Sequence, residues 1–510
     1  MERDGEEKMS LIVDQEYQRV SKHGGKEMSN QKGLLKTEDW WAVWIGLFIF
    51  ILGLVYIGGL DILGWVVTPK MWTSLSKSVA PISKHYAGLP GLLSLFLTYL
   101  ALLGILTVGA KAIGLKIDKF VYGFTIIFWL TYICVIIGHY ANVAVNAPGD
   151  FRKFGISWSL KLTGEAGLII ALLVGLFICN FMPKFADSLR EAARPEWYIK
   201  TAIVILGAGI GVKAVGAMGL ATTVMFRGLC AIIEAYLIYW ALVYWMARKY
   251  FKFSREWSAP LASGISICGV SAAIATGAAI RARPIVPIMV SSLVVIFAVV
   301  ELIILPLLAQ TFLYREPLVA GAWMGLAVKT DGAAVASGQI VDSLIKAKAL
   351  AVQGLNYEAG WMLSTATTVK IFIDIFIGVW AFILAVVWCT IIERKPGEKV
   401  RAVEIWTRFP KFIIGYALTF FLMLFLCLNV QGILPVAREA SGEADVFRSL
   451  FFALTFFSIG LVSNFRKLWE EGIGRLALVY VVALFGFIIW IGLAISWVFF
   501  HGVKPPIIGG

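Results

Sequence analysis

The chain has 510 residues, of which 59% are hydrophobic and only 15% are charged, whereas an ordinary soluble domain carries ~25% charged residues. This composition excludes a soluble globular protein and predicts an integral membrane protein whose surroundings are the lipid bilayer. The net charge of +13 is explained by basic residues that collect in cytoplasmic loops, so no nucleic-acid partner is expected.

The two ends of the chain are predicted to be tails outside the transmembrane domain. Residues 1–39 are polar, contain seven Lys/Arg and lack the apolar core of a cleaved signal peptide, so they predict a cytoplasmic tail. A transmembrane transporter domain is predicted over 40–500, and a short tail follows at 501–510. Lys and Arg are dense in 248–256 and 394–401, and their distribution predicts a cytoplasmic N-terminus. The expected location is a bacterial inner (plasma) membrane.

Apolar runs repeat along the transporter domain, each near or above the ~20 residues that a membrane helix needs. The predicted spans are 40–60, 89–113, 119–146, 156–182, 197–216, 218–247, 257–280, 284–312, 318–342, 358–392, 408–430, 446–465 and 474–500. The predicted fold class is therefore an all-α integral membrane protein with about 11–13 transmembrane helices.

Two of these spans are interrupted by small and polar residues. Residues 264–280 read GISICGVSAAIATGAAI, and residues 325–340 read GLAVKTDGAAVASGQI. Each glycine weakens a helix by about 1 kcal/mol relative to alanine, and irregular backbone at membrane depth is tolerated only inside protein or beside a wet cavity. A pair of such segments is typical of a transporter's binding site. We therefore predict that 264–272 and 327–333 meet near the bilayer midplane, as broken spans or as re-entrant segments.

Cysteine and histidine patterns predict no metal or cofactor chemistry. The six cysteines all lie in apolar runs without CxxC spacing, and the chain has only four histidines, so neither a disulfide framework nor a zinc site is expected. No HExxH motif or nucleophile–base cluster occurs, so we do not expect an enzyme.

Several motifs resemble the sulfate exporter (YeiH-like) family of membrane transporters. The most specific is SGISICGVSAAI at 263–274, and TAIVILGAGIGVKAVG at 201–216 and TATTVKIF at 365–372 also agree. So do RFPKFIIGY at 408–416 and LTFFSIGLVSNF at 454–465. The resemblance covers about 160–500 and extends distantly to bile-acid/sodium symporters and cation/proton antiporters. It implies an inverted-repeat core beside a scaffold domain, discontinuous helices that cross at the site, and a possible homo-oligomer through scaffold helices.

The chain departs from that family pattern at AVKTDGAAVASG (327–338). Lys329 stands where the family usually has a histidine, Thr330 stands at its aspartate, and Asp331 follows one place later. A group that titrates near neutrality is thus replaced by a fixed cation.

Charged residues within spans are costly and are functional candidates. The predicted substrate-binding residues are Ser266, Cys268, Gly269, Ser271, Lys329, Thr330 and Lys370, and Asp331 and Asp374 are predicted to bind a coupling ion. A helix that begins near Gly269 would present free N–H groups to an anion. The alternatives are an ion pair between Lys370 and Asp374 on one helix face, a snorkelling Lys329, and small-residue helix packing.

The sequence therefore favours a secondary active transporter that works by alternating access and carries a small anion of the sulfate, sulfite or organosulfonate class. The resemblance alone implies export. The alternative is a symporter or antiporter of another organic anion, in which Asp331 and Asp374 bind Na⁺ or H⁺. A channel is a further alternative, but no regular pore-lining pattern favours it.

Overall fold

The computed structural model describes residues 34–145, 148–160, 164, 166–216, 218–283, 285–392, 410–464 and 474–508. Nine helices in these ranges are long and apolar enough to cross a membrane: Glu38–Gly58, Gly91–Ala112, Ile117–Gly138, Met218–Lys249, Met289–Phe312, Trp361–Val387, Phe412–Asn429, Leu434–Val462 and Gly474–Phe500. The all-α membrane fold is thereby confirmed. Most of the predicted N-terminal tail lies outside the described residues.

Two further helices pack against the helices named above. Ala166–Phe181 packs on Leu434–Val462, and Pro195–Gly216 packs on Phe412–Asn429 and Leu434–Val462. The first contact is made by glycines, because a Cβ at Gly175 or at Gly460 would collide with the backbone of the other helix. Small residues that let two backbones approach closely are the usual solution for packing helices in lipid.

The ends of the helices define two faces of the protein. The proximal face is the end at which the first helix begins, where Glu38 pairs with Arg194 at 2.6 Å and Asp39 pairs with Lys200 at 2.8 Å. The distal face is the opposite end. There a two-stranded antiparallel sheet, Val67–Pro69 with Val79–Pro81, lies in the connection that follows the first helix.

The first interrupted segment is a re-entrant hairpin, here called hairpin 1, with arms Arg255–Ser266 and Val270–Ala279. The arms run side by side, since the Thr276 hydroxyl donates to Ser263 Oγ at 2.6 Å. At the base, the backbone N–H of Arg283 donates to Glu256 Oε1 at 2.7 Å. Both ends of the segment therefore lie together, which excludes a broken span that crosses the membrane. Because Met218–Lys249 ends just before it, hairpin 1 enters from the proximal face.

The second interrupted segment is hairpin 2, with arms Pro317–Ala327 and Asp331–Gln353. Near the end of its longer arm, Lys348 Nζ donates to Thr311 O at 3.4 Å and lies 4.6 Å from the centre of the Tyr314 ring. Both of these partners precede the first arm, so this segment also returns to the face from which it entered. Ile285–Phe312 leads into it from the proximal side, and hairpin 2 therefore enters from the distal face.

Entry from opposite faces is the relation that an inverted repeat requires of its two discontinuous segments. The predicted inverted repeat, and the division into a mobile core and a scaffold, stay predictions. Near its end the chain packs beside hairpin 2: Gly502 donates its N–H to Glu316 at 2.9 Å, and Ile508 donates to Asn356 O at 2.8 Å.

Candidate functional site

The tips of the two hairpins meet inside the protein. A Cβ on Gly269 would lie 3.2 Å from Thr330 Cγ2 and 3.3 Å from Lys329 O, so only a glycine lets the tips come this close without adjustment. Gly269 also has a φ of +67°, a left-handed conformation that glycine adopts at little cost. The predicted approach of 264–272 and 327–333 is confirmed by these contacts.

Lys370 joins the two tips. Its ammonium donates to Ile267 O of hairpin 1 at 2.7 Å and to Lys329 O of hairpin 2 at 3.3 Å. It also lies 3.6 Å from Asp331 Oδ1. The buried ammonium therefore makes two hydrogen bonds to backbone carbonyls, and its ion pair is with Asp331 rather than with Asp374 on the same helix.

A buried cluster of possible cation ligands lies beside Lys370. Cys268, Asp331 and Asp374 each offer one ligand atom, and these atoms lie within 4.8 Å of one another. Neither oxygen of Asp374 has a hydrogen-bond partner in the described part of the chain, and neither does Asp331 Oδ1. Buried carboxylates need a counter-charge or a proton. The set can hold a proton, Na⁺ or another small cation, although residue spacing predicted no metal site.

Other predicted site residues lie at the same tips with different environments. Ser266 Oγ is buried without a hydrogen-bond partner among the described residues. Thr330 accepts the N–H of Ala333 at 3.2 Å and so caps the second arm of hairpin 2. The side chain of Ser271 lies outside the described residues.

Lys329 contributes its backbone to the crossing, while its side chain contacts other groups. Its ammonium donates to Leu326 O and lies 4.4 Å from the centre of the Tyr239 ring. Its backbone N–H donates to Glu301 Oε2 at 2.9 Å, and Tyr480 donates to Glu301 Oε1 at 3.0 Å. Substrate binding by the Lys329 ammonium stays a prediction. No Lys or Arg lies near Glu301 in the sequence. The only sequence feature that could have marked it as functional is its charge within an apolar span.

Residues 155–479 match the family model described as conserved hypothetical protein 698. The chain belongs to this family. A relative named UPF0324 membrane protein, from Nitrosomonas europaea, is 43% identical over 481 residues, which cover 93% of this chain and 98% of the relative. An uncharacterized protein from Archaeoglobus fulgidus is 56% identical over 164 residues, 28% of this chain and 88% of its own length. A UPF0324 membrane protein from Nitratidesulfovibrio vulgaris is 30% identical over 407 residues, 78% of this chain and 63% of its own.

The family match contains the whole crossing, because both hairpins and Lys370 lie within 155–479. The first arms of the hairpins end at Ser266 and Ala327, and the second arms begin at Val270 and Asp331. The positive ends of two helix dipoles and the negative ends of two others therefore face the crossing. Lys370 carries the formal positive charge that opposes the two carboxylates, so the local charge depends on whether a cation or proton is bound.

Proposed function

We propose that the protein is a secondary active transporter that works by alternating access and carries its substrate at the crossing of the hairpin tips. The substrate is a small anion of the sulfate, sulfite or organosulfonate class, and its movement is coupled to a proton or Na⁺ bound at Asp331 and Asp374. The observation that carries this proposal is the buried Asp374 carboxylate, which has no hydrogen-bond partner among the described residues and lies beside an ammonium that joins hairpins from opposite faces.

Coupling follows from the charges at the crossing. With no bound cation, the single ammonium of Lys370 faces two carboxylates, and an anion is repelled. A proton or Na⁺ bound at Asp331 and Asp374 neutralises the excess negative charge of the two carboxylates, and Lys370 is then released from its ion pair. The ammonium and the two helix N-termini can then hold an anion. Cation and anion occupancy are therefore linked.

The arrangement of the hairpins supports alternating access over a channel. Lys370, Asp331 and Asp374 are all buried at the point where the tips meet, and the two hairpins that meet there enter from opposite faces. Opening one hairpin at a time would expose the crossing to one face at a time. The anion class and the direction of export rest on the resemblance of 263–274 to the sulfate exporter family.

The test uses the purified protein in proteoliposomes. We expect uptake of one or more of radiolabelled sulfate, sulfite, thiosulfate, taurine and isethionate, with a dependence on a gradient of protons or Na⁺. Asp374→Asn should remove the dependence on the coupling ion, and Lys370→Met should remove anion binding.

Matched controls are Asp118→Asn and Lys119→Met, the same changes at exposed residues, which should leave transport intact. Ion-dependent uptake that survives Asp374→Asn would contradict the coupling site. Single-channel currents in a planar bilayer that do not saturate with substrate concentration would instead indicate a channel.

A further inference from the structure

Another buried carboxylate lies away from the crossing, on the helix Met218–Lys249. Glu234 belongs to the π-helical stretch Ile233–Tyr239 of that helix, a local widening often found at functional sites. It is fully buried, and neither carboxylate oxygen accepts a hydrogen bond from a described donor. The Tyr239 hydroxyl lies beside it but donates to Ile488 O at 2.8 Å. Gly492 leaves room for it, because a Cβ there would lie 3.3 Å from Glu234 Oε1 and 2.7 Å from the Tyr239 hydroxyl.

The cation that Glu234 faces is the ammonium of Lys329. Tyr239 lies between the two groups: its hydroxyl shares the space beside Gly492 with Glu234 Oε1, and its ring lies 4.4 Å from the Lys329 ammonium, which donates to Leu326 O. No ion pair joins Lys329 and Glu234 in the described part of the structure. A four-carbon stem with several rotatable bonds separates the ammonium from the backbone, so modest movement of the tip changes the distance between the two charges.

Lys329 connects this pocket to the crossing through its own backbone. Its N–H is held by Glu301 and its carbonyl by Lys370, while its side chain reaches into the pocket of Glu234. A shift of the tip of hairpin 2 therefore breaks or remakes contacts on both sides of Lys329. Among the described tip residues, only Lys329 contacts both the groups at the crossing and Tyr239 beside Glu234.

The titratable groups around Glu234 come from several elements. Cys230 and Tyr239 lie on its own helix, and Lys329 lies on hairpin 2. Beyond Lys329 stand Glu301 and Tyr480, which are hydrogen-bonded to each other, and Lys370. Among these groups, Lys329 alone is a cation that faces Glu234 directly.

We propose that Glu234 is a second proton-binding site, separate from the crossing, whose occupancy is set by the position of the Lys329 ammonium and hence of hairpin 2. When the ammonium lies on Tyr239, Glu234 carries a proton, because an unpaired buried carboxylate is costly. When the ammonium approaches, the proton leaves to water and an ion pair forms, with no other bond changed. The link to transport rests on the proposed function, whereas the proton site itself does not.

The test is a pH titration of the purified protein. It is monitored by infrared difference spectroscopy in the carbonyl-stretch region, where protonated buried carboxyl groups absorb. We expect Glu234→Gln to remove one band, and Asp374→Asn to leave that band in place. Lys329→Met removes the facing cation, so the Glu234 band should persist to higher pH, with proton affinity raised about tenfold or more. If Glu234→Gln does not fold, Glu234→Asp serves in its place, because it keeps the carboxyl group and moves the band.

A second measurement separates coupling from a merely structural acid. Glu301→Gln weakens the hold on the tip backbone without touching Glu234, and it should shift the pH midpoint of the Glu234 band. Asp118→Asn should not shift it. The proposal would be overturned if the pH midpoint of the Glu234 band were unchanged in Lys329→Met or in Glu301→Gln. Failure to find transported anions would leave this titration unaffected, so the two proposals fail independently.

Discussion

The two hairpins reach the same point with different chemistry. The tip of hairpin 1, Ile267 to Gly269, has no formally charged side chain and offers a backbone carbonyl to Lys370. The tip of hairpin 2 carries Lys329 and Asp331 and is held by Glu301 as well as by Lys370. Hairpin 1 thus supplies shape and a carbonyl, while hairpin 2 supplies charge. The difference teaches that the formal charges at the crossing come from hairpin 2 and from the helix that carries Lys370 and Asp374, whereas hairpin 1 contributes only uncharged groups.

Their arms differ in the same sense. The arms of hairpin 1 are joined to each other by Ser263 and Thr276. The longer arm of hairpin 2 is joined to the following helix, since Asp342 accepts the N–H groups of Gly360 at 2.8 Å and Met362 at 3.0 Å. Hairpin 1 is therefore internally braced, whereas hairpin 2 is tied to the helix that carries Lys370.

The largest effect is expected for Lys370→Met, which removes the only described side chain that is hydrogen-bonded to both tips. Two carbonyls lose their donor and Asp331 is left unpaired, and removing one partner of a buried ion pair costs about 3–5 kcal/mol. Thermal unfolding in detergent should show a marked loss of stability, and anions should no longer stabilise the protein.

The control for this change is Lys119→Met at an exposed position, which should unfold like the wild type. Adding Asp331→Asn to Lys370→Met should recover part of the lost stability, because the unpaired charge is then gone. Wild-type stability in Lys370→Met would mean that the tips meet without the ammonium.

Gly269→Ala should have the next largest effect, because it acts on the contact between the tips. Its φ of +67° costs an L-residue roughly 1–2 kcal/mol. The new Cβ would also lie 2.7 Å from Val294 Cγ1. Thermal unfolding should show a loss of stability. The transport rate should also fall at temperatures where the variant is still folded. Gly209→Ala, a helix glycine with nothing within 4 Å of its Cβ position, should be neutral or stabilising; equal losses in both variants would rule out a role specific to the tip.

The sequence predicted the helices and both interruptions, because apolar length and glycine content are local properties. Re-entry was not predictable, because it depends on pairs far apart in the chain, Glu256 with Arg283 and Lys348 with Thr311. Spacing on one helix suggested Asp374 as the partner of Lys370, but the fold brings Asp331 from another segment closer. The environment of Lys329 was likewise set by tertiary neighbours, Tyr239 and Glu301, that no local pattern indicates.

Ser263→Ala tests the internal bracing of hairpin 1 and should have a smaller effect. Ser263 Oγ accepts from Thr276 at 2.6 Å and from the indole N–H of Trp240 at 2.9 Å. A lost buried hydrogen bond costs about 1 kcal/mol, with more where a donor is left unsatisfied. We expect a modest fall in the thermal midpoint with transport retained. The double variant Ser263→Ala/Thr276→Val should lose less than the sum of the single changes, and full additivity would show that the two hydroxyls do not act together.

The smallest effect is expected at the base of hairpin 1, for Glu256→Gln. The ion pair with Arg283 has side chains 31% and 67% exposed, and exposed pairs contribute only about 0–1 kcal/mol. The amide oxygen of glutamine can still accept the backbone N–H of Arg283, so the turn at the base should persist. Thermal midpoints of the wild type and the variant, measured at low and high salt, should converge as salt screens the pair. Arg283→Gln should behave in the same way. A loss comparable to that of Lys370→Met would reverse the comparison drawn above, because hairpin 1 would then be held by its base at the proximal face rather than by its tip at the crossing.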